Sequence, residues 1–354
     1  MSLWAFYPSN YREREVRAIL AAVRAGECVS VVGLSGAGKS NLLGCLAQAH
    51  STPAHPFVLV DCNRLTTGAA PAFFHLIRRE LGDADEARDE FSALDAAIGK
   101  RLSESGSGLT LLLDRFGLAA RADPAIPGNL RALRDAHKYR LTYVTATRRP
   151  LDPNTELSEL FYAHTLWLGP LSESDARWNV ARYAERRGVK WDEAVTQTIV
   201  ALSRGYTSLL RAVCEAYAEG AALEARTLLE HRAVRARVEE FWADNPGEDD
   251  LRRSGLEGHP LLAVKPAPAS AFDTSQLTAK EHLLFNYFTA HAGEVCEKDD
   301  LIRAVWPEDK IFERGVRDDS LAQLVRRLRE KIEPDPANPR YIHTVPGRGY
   351  RFTR

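Results

Sequence analysis

Strands and helices alternate through residues 1–170, helices alone occupy residues 171–243, and two short strands around a glycine turn close the chain. These three observations predict three layers of organisation. The first is an α/β unit, a parallel sheet with helices on both faces. An all-α segment and a small α+β domain follow it. At 354 residues the chain is long enough for two or three domains. The expected boundaries are 1–170, 171–243, a connector over 244–276, and 277–354.

Each element has its own signal. Tyr7 to Asn10 is turn-rich. Tyr11 to Ala25 carries Val16, Ile19, Leu20 and Val23 on one helical face, and Gly26 stops it. Val29 to Val32 and Phe57 to Asp61 are apolar, β-branched strands. Pro71 to Leu81 and Ala84 to Leu102 have helical patterns, and Gly106-Ser107-Gly108 breaks the chain. Leu109 to Asp114 is an apolar strand ending in an acid. Asn129 to Lys138 is helical, Leu141 to Ala146 a strand, and Thr165 to Leu168 a last strand before Gly169-Pro170. Ser172 and early acids cap the first helix of the all-α segment. Residues 244–276 are rich in Gly, Pro and acids and end in Lys265-Pro266-Ala267-Pro268-Ala269, the composition of a linker, with one short strand expected at Leu261 to Val264. Thr278-Ala279-Lys280-Glu281 is a capping box opening a helix to His291. Helices at Lys298 to Val305 and Asp318 to Ile332 flank a loop from Trp306 to Arg317. Tyr341 to Val345 and Tyr350 to Thr353 form a hairpin around Pro346 to Gly349.

Composition excludes several classes. Apolar residues make up 45% and charged residues 27%, ordinary for a globular protein. A net charge of −1 gives no global attraction to nucleic acid or membrane, so any such site must be a local patch. The 5 cysteines (Cys28, Cys45, Cys62, Cys214, Cys296) are scattered without a C-x-x-C pair and are expected to be reduced core residues. No apolar run reaches the length of a membrane span, and charges stand where a signal peptide would be apolar. A cytoplasmic protein with no membrane partner is expected.

The sharpest motif is Gly33-Leu34-Ser35-Gly36-Ala37-Gly38-Lys39-Ser40, which fits G-x-x-x-x-G-K-[ST] at every fixed position, after a strand and before a helix. Its glycines let the backbone wrap a phosphate chain, and loop amides and the helix N-terminus point at the anion. Lys39 supplies charge to the β- and γ-phosphates, and Ser40 offers a hydroxyl to Mg²⁺. Gly33, Ser35, Gly36, Ala37, Gly38, Lys39, Ser40 and Asn41 are the expected nucleotide contacts, with ATP or ADP and Mg²⁺ as cofactors. Asp114 closes a strand of the same sheet and is expected to hold the metal through its water shell. Arg115 follows it, where an acid would polarise an attacking water, so slow hydrolysis is expected. Thr147, Arg148 and Arg149 end the strand beside that of Asp114. Arg148 is either a γ-phosphate sensor with a catalytic part or a surface arginine.

Together these features resemble the STAND branch of AAA+-like P-loop NTPases over about Tyr7 to Trp242. Archaeal Orc/Cdc6-like initiators are similar almost to the same degree. The STAND resemblance implies that Tyr11-Arg12-Glu13 stands for a G-R-E-type motif, with Tyr in place of Gly. It makes Thr145 to Arg148 a T-x-R-type sensor, and Gly169-Pro170 a base-contacting element at altered spacing. Gly205-Tyr206-Thr207-Ser208-Leu209-Leu210 becomes a lid segment with Thr where the family has Pro. Arg12 and Pro170 therefore join the expected nucleotide contacts through the resemblance alone. A homo-oligomer in the ATP state is also an expected partner.

Leu277 to Arg354 resembles the OmpR/PhoB-type winged-helix DNA-binding domain. The matching strings are Leu277 to Glu281, Asp300 to Trp306, Val325 to Ile332 and Pro339 to Phe352. Leu321, Val325, Leu328 and Ile332 share one core-facing helix side. Ser320, Gln323, Leu324, Arg327 and Lys331 lie toward the other, with Arg327 placed for a guanine edge. Arg326 and Arg329 are expected at phosphates and Arg348 at a minor groove. Asp318 and Asp319 would repel phosphate. The expected fold is thus an α/β P-loop NTPase, an all-α helical lid and an α+β winged helix-turn-helix. The expected function is a nucleotide-dependent transcriptional regulator that binds double-stranded DNA. The alternatives are a signalling ATPase whose winged helix is an interaction or autoinhibitory module, and an Orc/Cdc6-like DNA-binding ATPase.

Overall fold

A computed structural model of the protein describes residues 3–65, 67–85, 87–161, 163–263, 277–306, 318–333, 335–336 and 338–353. The chain divides into two compact units, Met1–Val264 and Lys265–Arg354.

In the first unit α1 (Glu13–Arg24) buries Val16, Ile19 and Val23 and ends at Gly26, φ 73°. β1 (Val29–Val32) leads through the glycine-rich loop into α2 (Lys39–Ala49). β2 (Phe57–Asp61), α3 (Ala70–Glu80), α4 (Glu90–Ser105) and β3 (Leu109–Asp114) follow. α4 begins at Glu90 rather than Ala84 because the Asp89 carboxylate accepts the Phe91 and Ser92 amides, while Asp83 is engaged by Arg78. The sequence pattern shows no sign of α5 (Phe116–Ala122); it starts as soon as Arg115, at φ 55°, turns the chain off β3. α6 (Ala125–Ala136), β4 (Leu141–Thr147) and β5 (Thr165–Trp167) complete the sheet. Its order is β2-β3-β4-β1-β5, all parallel. Every residue of β1, β3 and β4 is buried, which is why these strands are predominantly apolar, with Ser30 and several threonines as buried hydroxyls, and do not alternate with charged residues.

The lid is built from α7 (Glu173–Arg187), α8 (Glu193–Ser203), α9 (Thr207–Ala218), α10 (Ala225–Glu230) and α11 (Arg232–Ala243). Ser172 and Asp192 cap α7 and α8 through side-chain oxygens. Leu209, Leu210, Val213 and Phe241 share one core with Val29, Val31, Leu42 and Leu46, so lid and sheet fold around common apolar contacts. Residues 244–263 are not linker. They contain α12 (Glu248–Arg253) and bury Leu256, Leu261 and Leu262 in that same core. Leu261 and Leu262 lie in a turn, not the expected strand. The Lys265 to Ala269 stretch lies outside the described residues, as do residues 307–317 of the expected Trp306 to Arg317 loop. All five cysteines are buried and unpaired. Among the described residues no helix is long and apolar enough to cross a membrane.

The second unit holds α13 (Ala279–Ala290), β6 (Val295–Glu297), α14 (Lys298–Val305), α15 (Asp318–Ile332), β7 (Ile342–Val345) and β8 (Gly349–Phe352). The three strands pair antiparallel in the order β6-β8-β7, and β6 is unforeseen by the sequence pattern. Leu284, Phe288, Leu301, Val325, Leu328 and Phe352 form its separate core. Two buried carboxylates tie the helices in place. Glu281 closes the capping box on the Thr278 amide at 2.8 Å and also meets Lys331. Glu333, just past α15, accepts the amides of Arg340, Tyr341 and Ile342 at 2.7–3.0 Å and so sets where β7 starts. Glu333→Ala orphans three amides and should destabilise this unit by about 2–4 kcal/mol. The check is faster hydrogen exchange across residues 318–333 in the full chain, with residues 29–49 unchanged.

Candidate functional site

A parallel sheet collects functional groups at the carboxyl ends of its strands. Here β1 opens into the glycine-rich loop between β4 and β5, and the register sets Asp61 beside Asp114 and Val32 beside Thr147. The Gly33 amide donates to the Thr147 carbonyl at 3.1 Å, which anchors the loop's start. Gly36 and Gly38 turn it with φ of 85° and 93°. Lys39 and Ser40 then open α2, whose first amides have no intrahelical acceptor. Above lies a cleft of about 1400 Å³, floored by the loop and roofed by lid helices. Of the expected contacts, Ser35, Gly36, Gly38, Lys39, Ser40 and Asn41 line it, whereas Gly33 and Ala37 sit behind.

Charges in the cleft are held under tension. Lys39 donates to the Gly33 and Leu34 carbonyls, and burial, reinforced by nearby Arg148, pulls its ammonium down to about 8. Asp114 is 5% exposed, and burial raises its carboxyl despite a hydrogen bond from the Ser40 hydroxyl and the charge of Arg115. Asp114 and Ser40 are hard oxygen donors that meet in one place, and a cation there would relieve the buried carboxylate. This donor set fits Mg²⁺, which takes one or two protein oxygens and completes its shell with water and phosphate. Among the described residues no three His, Cys, Asp or Glu side chains cluster in a way that could hold a metal ion.

Arg148 and Arg149 both line the cleft, at the end of β4. Arg148 pairs with Asp244 at 2.6 Å, and Arg149 donates to the Asp244 carbonyl at 2.7 Å. Asp244 is the residue that ends α11, so the two arginines tie the sheet edge to the last lid helix. Its second carboxylate oxygen is buried with no partner among the described residues.

Two expected contacts lie elsewhere. Arg12 is 2% exposed and outside the cleft. Its guanidinium is spent on the carbonyls of Ala37, at 2.8 Å, and Gly169, at 3.1 Å. Pro170 borders a separate hollow with Arg14 and Trp167. Periodicity and motif spacing gave no hint of Tyr206, Thr207, Ser208, Glu240 or Asp244, which reach the loop or its arginines from the lid. Only the Gly205 to Leu210 resemblance pointed to that neighbourhood.

In the second unit the exposed side of α15 presents Ser320, Gln323, Arg326, Arg327, Glu330 and Lys331. Three placements correct the sequence reading. Leu324 is buried, 7% exposed, because its position falls on the core stripe. Arg329 donates to the Ile342 carbonyl and the Thr344 hydroxyl, holding β7 against the helix rather than standing free for phosphate. Lys331 is bound to buried Glu281. At the turn, Arg348 pairs with Glu297 across to β6. Arg327 and Gln323 remain on the exposed side; the side chains of Asp318 and Asp319 lie outside the described residues.

A parallel sheet with this loop, a strand-end aspartate and a helical lid defines a P-loop ATPase core, and the second unit has the helices and hairpin of a winged helix. Comparison with known families agrees. Residues 10–151 match the AAA ATPase domain, and residues 273–352 match the C-terminal domain of transcriptional regulatory proteins. The chain is an AAA ATPase domain fused to a C-terminal winged helix of the OmpR/PhoB type. Protein PetR of Rhodobacter capsulatus is 43% identical over 76 residues, 21% of this chain and 32% of PetR, so the match spans about a third of that relative. Among solved structures, the Walker-type ATPase PABY2304 of Pyrococcus abyssi superposes with a TM-score of 0.50 at 12% identity, covering 99% of this chain and 97% of that one. Orc1 of Aeropyrum pernix, solved in complex with DNA, gives 0.47 at 14% identity over 90% and 83% of the two chains.

The geometry of Lys39 sets a pH expectation. Phosphate needs the ammonium form, and a lowered value means that this form is lost as pH rises through about 8. ATP affinity should fall between pH 7 and 9.5, and binding near pH 8 should take up a proton. Calorimetry in buffers of different ionisation enthalpy reads that proton directly. Lys39→Ala should abolish both the binding and the uptake.

Proposed function

We propose that this chain is a DNA-binding transcriptional regulator switched by ATP and ADP, with a STAND-like core and slow hydrolysis. The observation that carries the switch is the Arg148–Asp244 pair. A γ-phosphate near Lys39 and Ser40 offers Arg148 a denser negative charge than one carboxylate does. Moving Arg148 toward it would release Asp244 and the end of α11, from which residues 244–263 continue toward the second unit. Ser40 and Asp114 would hold Mg²⁺, which would supply charge neutralisation to the phosphates. Arg115 stands directly after Asp114, in place of the second acid that would polarise a water, which supports slow turnover. On the winged helix, Gln323 and Arg327 would read base edges and Arg326 would meet the backbone.

A second reading, a winged helix that only docks protein, draws support from one observation. Four of the cations expected at DNA, Arg326, Arg329, Lys331 and Arg348, are already paired with groups of their own unit, Arg326 with Glu330 one turn along its helix.

Gel-shift titration of the full chain on random duplex DNA separates the two. The regulator should bind with a steep salt dependence, and ATP should change its affinity by roughly 5- to 150-fold relative to ADP. Arg327→Ala should cost roughly 1–3 kcal/mol of DNA binding. Asp244→Asn should bring the nucleotide-free affinity close to that of the ATP form. No binding at low salt would establish the docking module, and equal affinity in all nucleotide states would reduce the two units to a tether.

A further inference from the structure

The phosphate loop is held partly from within, where the Ala37 amide and Lys39 donate to the Leu34 carbonyl, and partly from outside. Ala37 lies between Gly36 and Gly38, both at positive φ and both free of side-chain preference. The carbonyls of Ser35, Gly36 and Ala37 are nevertheless each occupied on the loop's outer side. The Tyr206 hydroxyl donates to the Ser35 carbonyl at 2.6 Å, and the Ser208 amide to the Gly36 carbonyl at 3.0 Å. The Ala37 carbonyl accepts twice, from Arg12 at 2.8 Å and from the Thr207 hydroxyl at 3.1 Å. Arg12 and Thr207 also approach each other at 3.5 Å, and the Arg12 amide is bound to Asp175 of α7 at 3.1 Å. The glycines serve this docking sterically as well. A Cβ on Gly36 would stand 2.0 Å from the Ser208 hydroxyl, and one on Gly38 would stand 3.0 Å from that of Thr207.

The consequence follows from peptide geometry. In a planar trans peptide the C=O and the next N–H point in opposite directions. Holding the Ser35 carbonyl outward aims the Gly36 amide inward, and holding the Ala37 carbonyl outward aims the Gly38 amide inward. Both are phosphate-facing donors of such a loop. We infer that Arg12 is a positioning residue of the phosphate site. With Tyr206 and Thr207 it clamps the loop's outer carbonyls so that its amides are pre-aimed at an anion, and it touches no part of the nucleotide. The inference rests on the cleft being a nucleotide site. It also makes lid docking and phosphate binding one linked event, because the lid supplies three of the four outer contacts.

The test separates this role from a direct contact to base or sugar. ATP and inorganic tripolyphosphate, each with Mg²⁺, are titrated into the full chain. Arg12→Gln should weaken both ligands by the same factor, about 10- to 100-fold, the worth of a lost charge-assisted bond. Tripolyphosphate alone should protect residues 206–209 from hydrogen exchange in the unmodified chain and not in Arg12→Gln. Thr207→Val should weaken both ligands to a smaller extent, and the double variant should fall short of the sum, since both donors share one carbonyl. Loss of ATP affinity with tripolyphosphate unchanged would overturn the inference in favour of direct contact. No change in either ligand would show the clamp to be idle. Should Arg12→Gln fail to fold, Thr207→Val and Tyr206→Phe carry the same comparison, and unchanged affinities for both ligands in both variants overturn it. Failure of the underlying reading looks different: the unmodified chain would bind neither ligand, or Lys39→Ala would bind both as before.

Discussion

A carbonyl flanked by two glycines has no orientation of its own, and the Ala37 carbonyl is the point on which the architecture of this cleft turns. Arg12 reaches it from the turn before α1 and Thr207 from the start of α9. The same guanidinium also bonds Gly169 after β5. One buried cation thus brings together the segment before α1, the loop, the end of the sheet and, through its own amide, Asp175 of the lid. A buried arginine is costly unless its donors find oxygens; those met by the terminal nitrogens of Arg12 are mostly backbone, which no substitution removes, while its Nε is buried without a partner among the described residues. Burial of Arg12 therefore presupposes that sheet and lid are already assembled.

Two kinds of lid contact can be distinguished by what they touch. Tyr206, Thr207 and Ser208 bind the outer side of the phosphate loop through neutral hydrogen bonds, the Tyr206 one fully buried and the other two half-buried. Asp244 binds Arg148 across the open cleft, where the arginine is 60% exposed. The first kind is neutral and directional, suited to fixing a loop. The second is solvated and electrostatic, so it responds to any new charge that enters. Glu240 stands between the two, accepting from the Ser35 hydroxyl while paired with Arg237. A single helix, α11, thereby senses both the loop and the sheet edge.

The winged helix shows how a local pattern underdetermines side-chain roles. Its basic run from Arg326 to Lys331 looks like one patch in the chain. In the folded unit it splits. Arg326 and Arg327 stay exposed, while Arg329 supports β7 and Lys331 neutralises Glu281. The cations that do structural work are those that the helical repeat turns toward the hairpin and α13, and the oxygens they find belong to elements distant in sequence.

The sequence by itself determined the sheet, the phosphate loop and the three-helix core of the winged helix. Those features arise from local rules. Buried parallel strands need continuous apolar runs, a phosphate loop needs glycines and a lysine at fixed spacing, and a capped helix needs its acid or hydroxyl one turn away. α5 and β6 escaped because each is created by an event outside its own pattern, the αL turn at Arg115 and strand pairing with β8. Residues 244–263 escaped because their Gly- and acid-rich composition masks three leucines that matter only when the lid core is there to receive them. The partners of Arg12, Arg148, Arg329 and Lys331 were decided by tertiary structure alone. A long cation reaches several ångströms from its backbone, and the oxygen it meets is set by packing between segments up to 195 residues apart.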